Sequence, residues 1–161
     1  MPDLWGEEPI TRFRDEYGFL SNFHLCPVEY RGKVFPSSEN AYQWAKSKYI
    51  IALIDLTPDF IPEYQRLLDR YMLNCTPGES KRQMKEAILD PLFHEEKDAI
   101  MHDVVTAKFG QNPDLRKLLI DTGDAALIEG NEWGDKYWGQ VDGVGKNRLG
   151  MILMNVRRIQ R

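Results

Sequence analysis

An excess of basic residues, a cysteine framework, clustered histidines and long apolar runs are all missing from this chain of 161 residues. Lys and Arg number 21 against 25 Asp and Glu, for a formal net charge of −4. Sequence-independent affinity for a nucleic-acid backbone grows with the number of cationic contacts, so this balance speaks against a long phosphate-tracking groove and leaves a nucleotide-sized ligand open. The two cysteines, Cys26 and Cys75, lie outside any C-x-x-C and read as buried thiols of a reducing compartment. His24, His94 and His102 are scattered, with no H-E-x-x-H and no companion Cys or carboxylate at ligand spacing, so no metal and no other cofactor is expected. There is no G-x-S-x-G, and Cys26 lacks the surroundings of a catalytic thiol. The longest apolar run, Tyr49-Ile50-Ile51-Ala52-Leu53-Ile54, stops at Asp55, far short of the ~20 residues a membrane helix needs. No membrane association follows. Met1-Pro2-Asp3-Leu4-Trp5-Gly6-Glu7-Glu8 is acidic where a secretory signal would be basic and then apolar, so the expected compartment is the cytoplasm.

What is present suits an ordinary globular chain. Apolar residues make up 42% and charged residues 29%, and ~150 residues bury roughly 68–70% of their unfolded surface without help from disulfides, metal or an obligate protein partner. The first third is punctuated by glycine, and Val28-Glu29-Tyr30-Arg31-Gly32-Lys33-Val34-Phe35 alternates around Gly32 as a hairpin does. Beyond Pro36 the period becomes helical. Ser37 or Ser38 can cap a helix reaching to about Ile54, with Pro58 beyond it. Further helices are expected near 62–73, 80–89, 91–109 with Gly110 as a C-cap, 114–119, and from about 143 to 158. A short apolar segment, Ala125-Ala126-Leu127-Ile128, reads as a strand. The expected fold class is mainly α with a small β element (α+β), in one domain over residues 1–161, because no linker or change of composition divides the chain.

Two regions can carry chemistry. Glu39, Gln43 and Lys46 stand at i, i+4 and i+7 and so form one polar stripe on the predicted helix, bordered by Tyr42 and Tyr49. A carboxylate and an amine beside aromatic rings suit acid–base work or the gripping of a sugar hydroxyl. The same residues also suit a helix that does nothing but fold, since Glu is favoured in a first turn and a mid-helix Lys usually faces water. The second region is the loop from Trp133 to Gly145, where Trp138 and Tyr137 beside Gly139 can form a stacking wall, with Asp135 and Asp142 close in sequence. A packed surface loop has the same composition. Gly143-Val144-Gly145-Lys146-Asn147 fails the Walker pattern, because Gln140 stands where glycine is required and Asn147 where Ser or Thr would hold magnesium. A weak diphosphate site or a plain N-cap at Asn147 remains open there.

The assembled segments resemble the NADAR family, also called YbiA-like, from about residue 13 to 157. They are Tyr17-Gly18-Phe19-Leu20-Ser21-Asn22-Phe23, then Phe35-Pro36-Ser37-Ser38-Glu39 with Gln43 and Lys46, then Lys108-Phe109 with Gln111-Asn112. Toward the C-terminus come Asp135-Lys136-Tyr137-Trp138-Gly139, Gly143-Val144-Gly145-Lys146-Asn147-Arg148-Leu149-Gly150 and Leu153-Met154-Asn155-Val156-Arg157. Each motif is weak alone; their order is specific. The chain departs from the pattern at Ser47, where an aromatic is usual, and the stretch from Ser47 to Glu79 runs longer than is typical, which bears on substrate selectivity.

The resemblance implies a compact helical fold and an N-glycosidase that hydrolyses the bond between a ribose C1 and a nitrogen. It implies ADP-ribosylated guanine in nucleic acid or nucleotide as substrate, with removal of ADP-ribose. Small phosphorylated riboflavin-pathway intermediates are the nearest alternative, and a non-catalytic ADP-ribose-binding module is another. By the same carry-over Glu39, Lys46 and Asp135 are the catalytic candidates. Asn22, Gln43, Trp138, Gly139 and Asn147 are the substrate-binding ones. Lys46 would attack a ribose C1 to form a Schiff base, with a carboxylate stabilising positive charge on the sugar.

Overall fold

In the computed structural model, residues 7–161 are described, and the reading of Met1-Pro2-Asp3-Leu4-Trp5-Gly6 as a non-secretory start lies outside them. The chain resolves into two compact units, one comprising Leu25–Lys108 and the other the residues up to His24 together with Phe109–Arg161. The class is mainly α with two small antiparallel sheets, as expected. Among the described residues no helix is long and apolar enough to cross a membrane.

The unit Leu25–Lys108 begins with strands β1 (Val28–Tyr30) and β2 (Lys33–Phe35), paired in the register Val28↔Phe35 and Tyr30↔Lys33. The turn between them has Arg31 at φ 49° and Gly32 at φ 80°, the two positive angles that match the twist of a tight hairpin. Helix α1 (Ser38–Ser47) follows, capped by the Ser37 side chain, which accepts the Asn40 N–H at 3.0 Å. Nearly every residue of α1 is buried, because the hairpin lies against one side and helices α2 (Ile61–Met72) and α3 (Pro77–Gln83) against others. Trp44 packs on Phe35 and Tyr30. Asn40 sends its amide Nδ2 to the carbonyls of Met72 and Cys75, both at 2.9 Å, and so ties α1 to the end of α2.

The helix expected to run from Ser38 to Ile54 ends at Ser47. The next residues form β3 (Ile50–Ala52), which pairs with β4 (Ile88–Leu89), and Asp90 donates its N–H to the Tyr49 carbonyl at 2.7 Å. The β-branched Ile50 and Ile51 favour this pairing over more helix. The same sheet shortens the helix expected at 80–89 to α3, which opens on a capping box between Thr76 and Glu79. Cys75 is buried as expected, while Cys26 is only half-buried.

Helix α4 (Leu92–Gln111) continues through Gly110, which therefore is not a cap. Pro113 stops it instead: proline has no N–H for the ladder and holds the residue before it extended, as Asn112 is at φ −118° and ψ 90°. The other unit contains a 3-10 turn (Asp15–Leu20), helix α5 (Pro113–Asp121) and helix α6 (Arg148–Gln160) packed on α5. The segment expected as a strand at 125–128 makes one parallel bridge, Ile10 to Leu127. Arg157 is buried there and bonds the Thr122 hydroxyl at 2.8 Å and the Ala125 carbonyl at 2.9 Å.

Lys108, on α4, is 1% exposed, and burial pushes its ammonium down to about 8, with Cys26 pulling slightly the other way. Its folded pKa lies below the ordinary lysine value of 10.5, so the unfolded chain holds the extra proton between the two. Stability should therefore rise as pH climbs from about 8 to 10.5, by about 3 kcal/mol from this group. Chemical denaturation across that range, compared with Lys108→Met, tests it: the rise should be present in the wild-type chain and absent from the variant.

Candidate active site

Helix α1 turns the Glu39, Gln43 and Lys46 stripe toward one place, because residues four and seven apart share a helical face. Glu39 and Gln43 are buried, and Gln43 Nε2 donates to Glu39 Oε1 at 2.9 Å. Lys46, one turn on, is partly buried, with its Nζ over the ring of Phe93 at 5.7 Å from the centroid. Phe93, on the first turn of α4, in turn contacts Tyr42 and Tyr49 at ring separations of 6.1 and 5.4 Å. Tyr49 donates its hydroxyl to Glu96, and that bond with burial raises its pKa.

The electrostatics of Lys46 follow from this packing. Burial lowers its basicity; Glu39 counters by favouring the charged form, and Lys81 on α3 and Lys97 on α4 lower it further by repulsion. A lysine moved in this direction holds more neutral amine at a given pH, as a nucleophile at carbon requires. The sequence pointed to Glu39, Gln43, Lys46 and the two tyrosines. It missed Phe93, Glu96 and Lys97, whose i, i+3 and i+4 spacing on α4 is the one signal that marks them as a face.

The remaining candidates lie in the other unit. Asn131 holds the loop that carries most of them: its side chain accepts from the Asp135 N–H at 3.0 Å and donates to the Asp135 carbonyl at 2.8 Å. Asp135 Oδ1 accepts the backbone N–H groups of Tyr137 at 3.0 Å and Trp138 at 2.9 Å. The carboxylate thus fixes the chain just before the tryptophan, whose ring meets Tyr137 edge-on at 4.9 Å. Trp138 is partly exposed and Gly139 buried. A side chain on Gly139 would place a carbon 2.1 Å from the Glu129 carbonyl oxygen, so its close approach is to the chain itself. Asn22 is buried, just after the 3-10 turn.

Asn147 stands at the entry to α6 but is left-handed, at φ 49°, and does not cap the helix with its side chain. Its amide instead accepts from Glu129 N–H at 3.0 Å and donates to the Leu127 carbonyl at 2.9 Å. The expected helix from residue 143 starts only at Arg148, because Gly143 at φ 77° and Gly145 at φ 149° are outside helical geometry. The backbone N–H groups of Lys146, Asn147, Arg148 and Leu149 all bond carbonyls of Lys136, Gly139, Tyr137 and Trp138. Those four donors at the entry to the helix are therefore engaged within the chain and are not offered to an anion. A surface concavity of about 470 Å³ lined by Glu8 to Arg12 and Arg14 to Tyr17 contains none of the candidate residues.

The NADAR domain family matches residues 7–161. The chain is 33% identical over 144 residues to the N-glycosidase YbiA of Escherichia coli (strain K12), covering 89% of this chain and 81% of that protein. An N-glycosidase of Nostoc punctiforme is 31% identical over 147 residues, covering 88% and 84% respectively. A riboflavin biosynthesis protein of Vibrio vulnificus is 31% identical over 156 residues, which is 94% of this chain but 38% of that longer protein. The NMR structure of the Escherichia coli protein YbiA superposes with a TM-score of 0.75 at 30% identity, covering 99% of this chain and 88% of that one.

Proposed function

The chain belongs to the NADAR family, and from that premise we propose that it is an N-glycosidase cleaving the bond between C1 of a phosphorylated ribose and the nitrogen of a base or amine. One observation carries the reading: a single face of α1 presents a buried carboxylate, a buried amide and a lysine of lowered basicity, next to three aromatic rings. The naming of relatives as N-glycosidases over most of the chain supports it.

The chemistry assigns each residue a task. Lys46 Nζ attacks C1; the Nζ–C1 bond forms, the C1–N bond breaks, and the leaving nitrogen keeps the electron pair and takes up a proton. The product is a cyclic glycosylamine. Its C1–O4 bond then breaks as the Nζ electron pair forms the C1=Nζ bond and O4 takes the proton Nζ gives up. Water adds to the resulting open-chain imine, breaking the Nζ–C1 bond to release the ribose phosphate as its aldehyde and return the amine. Glu39 stabilises the positive charge that grows on the sugar and exchanges protons with the leaving nitrogen and the water. Gln43 binds the sugar. Asn22, Trp138 and Gly139 are proposed to contact substrate, while Asp135 and Asn147 act as positioning residues, since both hold the backbone around Trp138 and Gly139.

The substrate we assign is ADP-ribosylated guanine in nucleic acid or nucleotide, on the strength of the family motifs. A second reading, a phosphorylated riboflavin-pathway intermediate, is favoured by the Vibrio vulnificus relative. Both share a phosphorylated ribose on an amine. Incubation with ADP-ribosylated guanine DNA, and separately with the free intermediate, followed by mass spectrometry, decides between them. Release of ADP-ribose supports the first and of ribose 5-phosphate the second. Tight binding of ADP-ribose without any product from either would replace both with a binding module.

A further inference from the structure

The carbonyl oxygen of Gln43 is a buried acceptor to which nothing among the described residues donates. Gln43 is only 4% exposed, so water does not freely serve it. Its orientation is set by its neighbour: Nε2 donates to Glu39 Oε1 at 2.9 Å, and turning the amide over would set two oxygens against each other. Native proteins seldom leave a buried acceptor unpaired, because its desolvation then goes uncompensated. Held in this way, the oxygen waits for a donor.

The kinds of donor a sugar phosphate offers are few. A phosphate at neutral pH presents acceptors only, and a ring face presents neither, which leaves hydroxyl groups. Gln43 sits between Glu39 and Lys46 on one helical face. If those two serve C1, the residue between them meets the hydroxyl on the neighbouring carbon. Resting on the function proposed above, we infer that Gln43 Oε1 accepts a hydrogen bond from the 2-hydroxyl of the ribose and so selects ribosyl over 2-deoxyribosyl C1–N bonds. Bonds to a 2-hydroxyl strengthen as positive charge builds on the sugar ring, so the contact acts on the rate as well as on binding. The consequence is protective. Every nucleotide of a DNA substrate carries a deoxyribosyl C1–N bond of its own, and an enzyme that requires the 2-hydroxyl cuts the ADP-ribosyl bond and leaves the DNA's bonds whole.

Two measurements on the full chain test this. The first takes whichever substrate is turned over and its analogue lacking the 2-hydroxyl on the reacting ribose, and compares their kcat/KM ratio in the wild type and in Gln43→Met. The analogue's intrinsic lability cancels in the double ratio of wild type to variant, which should be about tenfold to a hundredfold. The second needs no variant: ribose 5-phosphate should raise the Tm of the wild type more than 2-deoxyribose 5-phosphate does. A double ratio of about one, or equal Tm shifts, overturns the inference while leaving N-glycosidase activity standing. Failure of the wild type to cleave either ribosyl substrate would overturn the proposed function itself, and the inference with it.

Discussion

Lys46→Ala is expected to leave a folded protein whose turnover has fallen by roughly 10³-fold or more. Losing the amine removes the intermediate that divides one hard bond cleavage into two easier steps. The side chain is partly exposed and sets its Nζ over the Phe93 ring, so the fold should tolerate its truncation. Lys46→Arg should not rescue turnover, because a guanidinium stays protonated far above the working pH. A chemical signature separates this role from a structural one. Borohydride added during turnover should fix the ribose phosphate covalently to the wild-type chain at Lys46, and peptide mapping should find no adduct in either variant. Turnover at the wild-type rate in folded Lys46→Ala, or an adduct on another residue, would reject the assignment. The pH profile adds a sign. Because burial and the two nearby lysines lower the basicity of Lys46, kcat/KM should rise with pH along a limb centred below the ordinary lysine value of 10.5.

Glu39→Gln should cost about 10²–10⁴ in kcat, the range for a positioned acid–base group. It is a demanding test because the variant preserves shape: the new carbonyl can accept from Gln43 Nε2 as Glu39 Oε1 does now. Thermal stability should therefore change little while turnover collapses. The same substitution makes a second, independent forecast. The Glu39 carboxylate favours the charged form of Lys46, so its removal should shift the rising limb of kcat/KM to lower pH even as the plateau falls. A limb that moves upward, or a rate within a few fold of wild type, would show that Glu39 is a helix-start carboxylate and no more.

The stripe on α1 was legible because it is local. Three residues at helical spacing after a serine cap need only the helix to exist, and α1 forms over the residues that carry them. The hairpin around Gly32 was legible for the same reason, since a left-handed pair at its turn is written in the local residues. The end of α1 was not. Ile50 and Ile51 continue a helical apolar pattern equally well, and what turns them into a strand is Ile88 and Leu89, brought beside them from nearly forty residues away. Gly110 shows the converse. Glycine is the usual stop, yet the helix passes through it and ends at Gln111, just before Pro113, where the backbone has no choice.

The sequence by itself determined the helical class, the helix face that carries Glu39, Gln43 and Lys46, and the ordered motifs that place the chain in its family, since periodicity and order are properties of a line of residues. Tertiary structure alone decided which of those groups lost water and what surrounds them. Phe93, Lys81 and Lys97 reach Lys46 from other helices, and burial together with repulsion from the two lysines lowers its basicity. Packing also pairs the N–H groups of Lys146 to Leu149 at the entry to α6 with backbone carbonyls, so that these donors hold a folded corner together. Both outcomes depend on burial and on partners distant in the chain, and neither quantity exists until the chain has folded.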